Sequence, residues 1–359
     1  MDGEIGLGMV GVGSWGANLL RNFAAQEDAR VRWICDVDER MLARRQRTCP
    51  GASITKSLDD VLNDPQVNAV VVATPAPQHF SCAWAALEAG KHVFVEKPLT
   101  LRACEAERLA TAADRRGLKL MVGHLLRHHP VVEYVRRLVD AGELGDIRYA
   151  YTQRVNLGIV RSNENAWWSL APHDISVICY LFDAVPQRVS VQGQCFLQPG
   201  VEDLAFGMLH FADGRVAHIH VSWLDPYKIR RLTLVGTQKM LAFDDMEAAE
   251  KVRLYDKGAH VRQETTSYAE AVQVRSGDVL IPKVDLSEPL QRECRRFIQA
   301  IREDGSVLSD GWAGVEVVRI LEAGSESLRR AGAPVALEEV AARRTPQEET
   351  PALVGANQE

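Results

Sequence analysis

The chain has 359 residues, 46% of them apolar and 25% charged, a length that exceeds one comfortable core and a composition that excludes disordered and fibrous classes. Its formal charge of −6, from 42 basic against 48 acidic residues, leaves no cationic surplus for nucleic acid or an anionic membrane surface. Seven scattered cysteines without a CxxC pair, no apolar run of spanning length and no leader-like start predict reduced thiols, no membrane partner and a cytoplasmic protein.

Residues 5–16 read IGLGMVGVGSWG and contain GxGxxG twice. Only the second match, Gly11, Gly13 and Gly16, has a strand before it and a helix after it, because SWGANLLRNFAA carries Ala17, Leu20, Phe23 and Ala24 at helical spacing. That arrangement leaves free amide groups at the helix start, around Ser14 and Trp15, for a pyrophosphate. VRWICDVD then places Asp36 20 residues after Gly16, where an acid at the end of a second strand binds ribose hydroxyls. With no Arg or Ser immediately after Asp36, NAD is favoured over NADP.

AVVVATP, residues 69–75, is a continuous apolar run of the kind buried on both sheet faces, closed by Thr74 and Pro75. A helix over QHFSCAWAALEAG and the strand HVFVEKP follow. Strands alternate with helices, so this part is predicted to form a doubly wound parallel sheet of the Rossmann type, with its ligand beyond the carboxyl ends of the strands. Thr74, Glu96 and Lys97 lie on that edge. Pro98 holds Lys97 in extended backbone and aims its ammonium at the crevice; the competing reading is a Glu-Lys salt bridge that merely closes a strand end.

After MVGHLLRHHP the alternation fades. His124, His128 and His129 form no ligand set with a further His or acid, so no metal is expected. A helix over 131–140 follows, then β signals from Ile147 to about Val284 with turns at 212–214 and Gly236. These strands are expected to run successively antiparallel in a large open sheet. One face of it needs a cover, which predicts a homodimer or homotetramer formed through the sheet. Two amphipathic helices over 288–304 and 311–332 and a disordered tail over 340–359 complete the chain. The expected fold is α/β: a dinucleotide-binding domain over 1–125 and an α+β substrate-binding and oligomerisation domain over 126–339 with a mostly antiparallel sheet.

One loop interrupts the β region: VRSNENAWWSLAPHDISVICYLF. Ile175, Ile178 and Phe182 mark a helix, and Pro172 places its start so that His173 and Asp174 fall in the first turn. There the helix dipole disfavours imidazolium, leaving His173 neutral and able to accept a proton from a substrate hydroxyl. Asp174 is equally explained as a favourable first-turn acid. Trp167 and Trp168 are candidates for stacking on sugar C–H faces or for the core, and Arg161, Asn165, Lys228 and Arg230 for polar or phosphate groups of a substrate.

VGVGSWGANLLRNF, AVVVATPAPQH, ALEAGKHVFVEKPLT and GELGDIRY resemble the glucose-fructose oxidoreductase, inositol dehydrogenase and rhizopine catabolism group, Gfo/Idh/MocA. The resemblance runs over nearly the whole chain, and Glu-Lys-Pro is specific to the group. It implies an NAD(P)-dependent dehydrogenase of sugars, cyclitols or nucleotide sugars, with the catalytic lysine at Lys97. It further implies cofactor contacts from the glycine loop, Asp36, Thr74, His79 and Glu96. The family pattern Asp-x-Gly-x-His-x-x-Asp falls on Ser169, Ala171, His173 and Ser176, so only the histidine is kept. LAPHDIS after VRSNxNxxW is similar to members acting at the C3 hydroxyl of nucleotide sugars or related amino sugars. The alternatives are a cyclitol or aminoglycoside-type amino-sugar dehydrogenase, or a regulator that binds NAD or sugar without turnover.

Overall fold

The computed structural model describes residues 3–158, 160–261 and 272–342. The first sheet is built from β1 (Ile5–Val10), β2 (Ala29–Cys35), β3 (Ser53–Thr55), β4 (Ala69–Val72), β5 (His92–Glu96) and β6 (Leu120–Gly123) in the order β3-β2-β1-β4-β5-β6. All its pairings are parallel. Helices α1 (Ser14–Ala24), α2 (Glu39–Gln46), α3 (Leu58–Asn63), α4 (His79–Glu88) and α5 (Ala103–Arg116) connect its strands. The strand order reverses between β1 and β4, so the glycine loop and the ends of β4 and β5 border one crevice. Every residue of β1 and β4 is buried, which accounts for their unbroken apolar runs.

The second half contains α6 (Pro130–Asp140), β7 (Ile147–Val155), α7 (Ala166–Phe182), β8 (Arg188–Gln194), β9 (Leu204–His210), β10 (Val216–Ser222), β11 (Ile229–Gly236), β12 (Met240–Asp244), β13 (Val252–Val261) and β14 (Val272–Leu280). It closes with α8 (Pro289–Arg302), α9 (Gly311–Arg329), β15 (Val335–Ala336) and α10 (Leu337–Ala342). Its nine strands form one sheet in the order β14-β13-β12-β11-β7-β10-β9-β8-β15. The expectation of successive antiparallel strands fails at its centre: β7 and β10 pair in parallel, because α7, β8 and β9 intervene before the chain returns beside β7.

Among the described residues one face of this sheet is covered and the other is not. Ala150, Ala217, Ile219, Ala205, Leu209 and Leu234 are buried in the core shared with α7 and α9. Gly207 leaves room for the Trp167 ring, since a Cβ there would stand 2.7 Å from it. On the outer face Tyr149, Tyr151 and Phe206 are exposed, and the Phe206 ring stacks on His220 with centroids 4.5 Å apart.

The second domain is not a simple C-terminal block. Leu290, Cys294, Phe297, Ile298 and Ile301 of α8 pack with Phe23 and Phe94 in the core of the first sheet, and α9 lies against both α5 and α7. Val340–Ala342 end α10, while the rest of the expected tail lies outside the described residues. No helix among the described residues is long and apolar enough to cross a membrane.

Candidate active site

The glycine loop has the shape a dinucleotide requires. Gly11 adopts φ +84°, and a Cβ there would meet the backbone of Ala73 and Thr74 at 2.7 Å. A Cβ on Gly16 would stand 2.1 Å from the Gly11 carbonyl, whereas one on Gly13 would face open space. No side chain caps α1 and its first turn carries no acid, so the amides beginning at Ser14 are left for an anion. Asp36 sits just beyond β2 with Oδ2 accepting from Val12 N at 2.8 Å and Oδ1 from Asp38 N at 3.0 Å. These features suit a dinucleotide, whose pyrophosphate the loop amides would hold and whose ribose would lie at Asp36.

At the end of β5 the two charged residues diverge. Glu96 turns inward, where it accepts from Trp15 Nε1 and, at 3.1 Å, from the Lys97 amide. Burial pushes its carboxyl up to about 7 against these bonds and against the Lys97 charge. Behind it Glu293 of α8 is fully buried with neither oxygen bonded, so burial and the Glu96 charge hold it protonated well above the usual range. Lys97 is half-buried and reaches across to the second domain, donating from Nζ to the Ser169 carbonyl at 3.2 Å. Burial lowers its pKa; Glu164 and Glu96 oppose that, and Arg161 and Arg154 add to it.

Ser169 lies on α7, and His173 is the next residue on the same helical face. Lys97 and His173 therefore converge from different domains. The His173 ring makes no hydrogen bond among the described residues, and its Nδ1 is buried without a partner. Burial, then Lys97, Arg154, His124 and Arg230 in that order, hold its pKa well below the ordinary value. The imidazole is neutral, but not because of a helix start. α7 begins at Ala166 and Pro172 is inside it, so neither His173 nor Asp174 is in the first turn.

Several expected contacts have other uses. Asn165 caps α7, accepting from Trp168 N at 3.0 Å and donating to Glu202 Oε2 at 2.7 Å. Trp167 is fully buried, and Trp168 donates Nε1 to Ser325 Oγ of α9 at 2.7 Å, so both indoles serve packing between helices. Asp174 is buried and occupied by Arg154, whose Nε and Nη2 donate to its two oxygens at 2.8 and 2.9 Å. His79 is also buried: Nδ1 is 2.7 Å from the Pro98 carbonyl and Nε2 2.8 Å from that of Thr74. It ties the ends of β4 and β5 together, a role beneath the cofactor crevice that the sequence resemblance did not distinguish from contact. Pro75 is exposed beside it. Arg161 pairs with Glu164 at 3.0 Å, Arg230 approaches Asp245 at 3.7 Å, and Lys228 is exposed.

The three histidines after β6 separate. His129 caps α6, and His128 is buried beside Ser309 with its pKa pushed down to about 3, so its 3.9 Å approach to Glu293 is not an ion pair. Arg127 donates Nε to Ser176 of α7 at 3.0 Å and so holds the segment after β6 against that helix. His124 alone has two buried, unbonded ring nitrogens, and the charges acting on it include Lys97. Sequence reasoning passed over Arg154, Glu164 and Glu293. Alternation along β7 puts Arg154 on the covered face with Thr152, and Glu293 interrupts the apolar stripe of α8; both signals were available. Nothing comparable distinguishes Glu164.

Comparison with known proteins matches both halves of the chain. The family model described as an oxidoreductase family with an NAD-binding Rossmann fold matches residues 5–124, and that of the GFO/IDH/MocA C-terminal domain matches 132–242. UDP-N-acetylglucosamine 3-dehydrogenase of Acidithiobacillus ferrooxidans is 28% identical over 87% of this chain and 93% of its own length. Its solved structure superposes with a TM-score of 0.77 at 26% identity, covering 91% of this chain and 98% of the other. GenD2 from gentamicin A biosynthesis, solved with NAD, gives a TM-score of 0.78 at 25% identity over 94% and 97% of the two chains. The NADP-dependent scyllo-inositol 2-dehydrogenase IolW of Bacillus subtilis is 27% identical over 79% of this chain and 82% of its own.

Proposed function

The chain belongs to the Gfo/Idh/MocA oxidoreductase family and is an NAD(P)-dependent dehydrogenase, and on that premise we propose that it oxidises a sugar carbinol, with a nucleotide sugar as the favoured substrate class and C3 as the reacting position. The carrying observation is the Lys97 ammonium resting on the α7 carbonyl one turn before His173. NAD supplies the hydride acceptor. Asp36 favours it over NADP, because a carboxylate at the ribose repels a 2′-phosphate.

Lys97 donates a hydrogen bond to the reacting oxygen and stabilises alkoxide character there. His173, kept neutral by burial beside cations, accepts the hydroxyl proton as the carbinol hydrogen departs as hydride. The same groups return the proton when the carbonyl is reduced. Arg161 and Arg230, whose charges act on Lys97 and His173, and the exposed Lys228 are the cations proposed for an anionic part of the substrate, since Arg154 is committed to Asp174. The uncovered sheet face with Tyr149, Tyr151 and Phe206 serves self-association. Retention of both Lys97 and His173 argues against a regulator without turnover.

The test is NAD reduction over UDP-sugars, free sugars and inositols with Lys97→Met and His173→Ala alongside the native protein. Turnover of a sugar substrate is expected, with kcat falling on the order of 10²-fold or more in each variant and NAD affinity kept. A folded Lys97→Met protein with near-native turnover refutes the mechanism.

A further inference from the structure

Helix α2 buries Leu42, and Arg45 lies one turn further along the same face. Arg45 is half-buried, whereas its neighbour Arg44 is exposed. The Arg45 guanidinium crosses to the glycine loop, donating from Nε to the Val12 carbonyl at 3.1 Å and from Nη2 to the Gly13 carbonyl at 3.4 Å. Its side-chain partners among the described residues are these two carbonyls and no carboxylate. A basic residue in the last turn of a helix is favourable without any further role, but Arg44 meets that condition equally and stays in solvent.

The two carbonyls belong to the stretch whose amides a dinucleotide needs. Val12 is fully buried and gripped from both sides, by Asp36 Oδ2 at its N–H and by Arg45 at its carbonyl. Gly13 precedes α1, and its carbonyl also accepts the first helical bond from Ala17 N at 3.1 Å. A Cβ on Gly13 would meet nothing, so side-chain packing does not set the tilt of its peptide. Arg45 supplies that constraint. In a trans peptide the C=O and the following N–H point in opposite directions. Holding the Val12 carbonyl on the α2 side therefore turns the Gly13 N–H away from α2, and holding the Gly13 carbonyl does the same for the Ser14 N–H. Neither amide has a hydrogen-bond partner among the described residues, and no side chain caps α1.

We propose that Arg45 is a positioning residue of the cofactor site: by holding the Val12 and Gly13 carbonyls, its guanidinium aims the Gly13 and Ser14 amides at the pyrophosphate of a bound dinucleotide. Two successive carbonyls suit a planar fork of donors and not the single point of an ammonium. The proposal rests on the chain binding NAD at this loop.

Calorimetric titration of the substrate-free protein with NAD, and displacement of NADH by adenosine followed by fluorescence, test this without turnover. In Arg45→Met, which keeps the apolar stem, NAD should bind about tenfold more weakly, while adenosine, which has no phosphate, keeps its native affinity. Arg45→Lys keeps the charge but not the fork and should fall between. Arg44→Met removes the same charge from the exposed neighbour and should leave NAD binding native. Native NAD affinity in a folded Arg45→Met protein overturns the proposal. So does an equal loss in Arg44→Met, which assigns the effect to surface charge, or an equal loss for adenosine, which assigns it to general deformation of the site. Should Arg45→Met fail to fold, Arg45→Lys decides by the same comparison: weakened NAD with native adenosine upholds the proposal, and native NAD overturns it. A native protein that binds no NAD refutes the cofactor reading and the proposal with it, whereas NAD binding indifferent to Arg45 refutes the proposal alone.

Discussion

Replacing Glu96 by glutamine should flatten the dependence of stability on pH. The carboxyl ionises near 4.5 in an ordinary exposed setting and at about 7 in the folded protein, because burial disfavours its anion more than Trp15, Lys97 and the Lys97 amide favour it. Below the lower value it is protonated in both states and costs nothing. As pH rises between the two, the unfolded chain gains ionisation that the folded chain cannot match, so stability falls and then levels off above about 7. The displacement corresponds to about 3 kcal/mol at most, and Glu96 is only 8% exposed, so solvent screening reduces it little. Urea unfolding of native protein and Glu96→Gln at about pH 5 and about pH 8 should show the native protein losing some 2 to 3 kcal/mol more than the variant over that interval. Glu293 pulls in the same direction in both proteins and largely cancels. A variant that keeps the native slope would refute the buried setting assigned to Glu96.

Gly16→Ala brings a Cβ to within 2.1 Å of the Gly11 carbonyl, so NAD affinity measured by calorimetry should fall at least about tenfold while the secondary structure persists. Asp36→Ala should weaken NAD and narrow its advantage over NADP; a native preference for NADP would contradict the role given to that acid. Asp174→Asn leaves Arg154 buried without its charge partner, and chemical denaturation should record a loss of about 3 to 5 kcal/mol.

The first sheet was legible because its signals are local. A buried parallel strand reads as AVVV, and a dinucleotide turn reads as glycines between that kind of strand and an amphipathic helix. The second sheet was legible strand by strand but not in its order, because the β7–β10 pairing joins segments separated by a helix and two strands. Helix α8 has the same difficulty: its apolar face is plain in the sequence, but nothing in that face says that Phe297 will meet Phe23 and Phe94 of the other domain. Asn165 and Trp168 were left with two readings for a related reason. A cap and a packed indole use the polar and aromatic chemistry that would also serve a sugar, and only position separates the uses.

His173 shows how a correct protonation state can follow from an incorrect placement. Proline at a helix start is favoured, so Pro172 suggested a first turn. Yet Asn165 is the better signal, since its side chain accepts from the Trp168 amide and satisfies a donor that the helix leaves free. Pro172 then falls inside α7, where its missing N–H removes the bond to the carbonyl four residues before it. With the dipole no longer available, the neutrality of His173 rests on burial and on Lys97, Arg154, His124 and Arg230 around it. This cause is tied more closely to catalysis than the dipole would be. In the proposed mechanism the cation that polarises the reacting oxygen also helps burial keep the proton acceptor empty, which would make the strand end at Lys97 and the helix face at His173 one device assembled across the domain boundary.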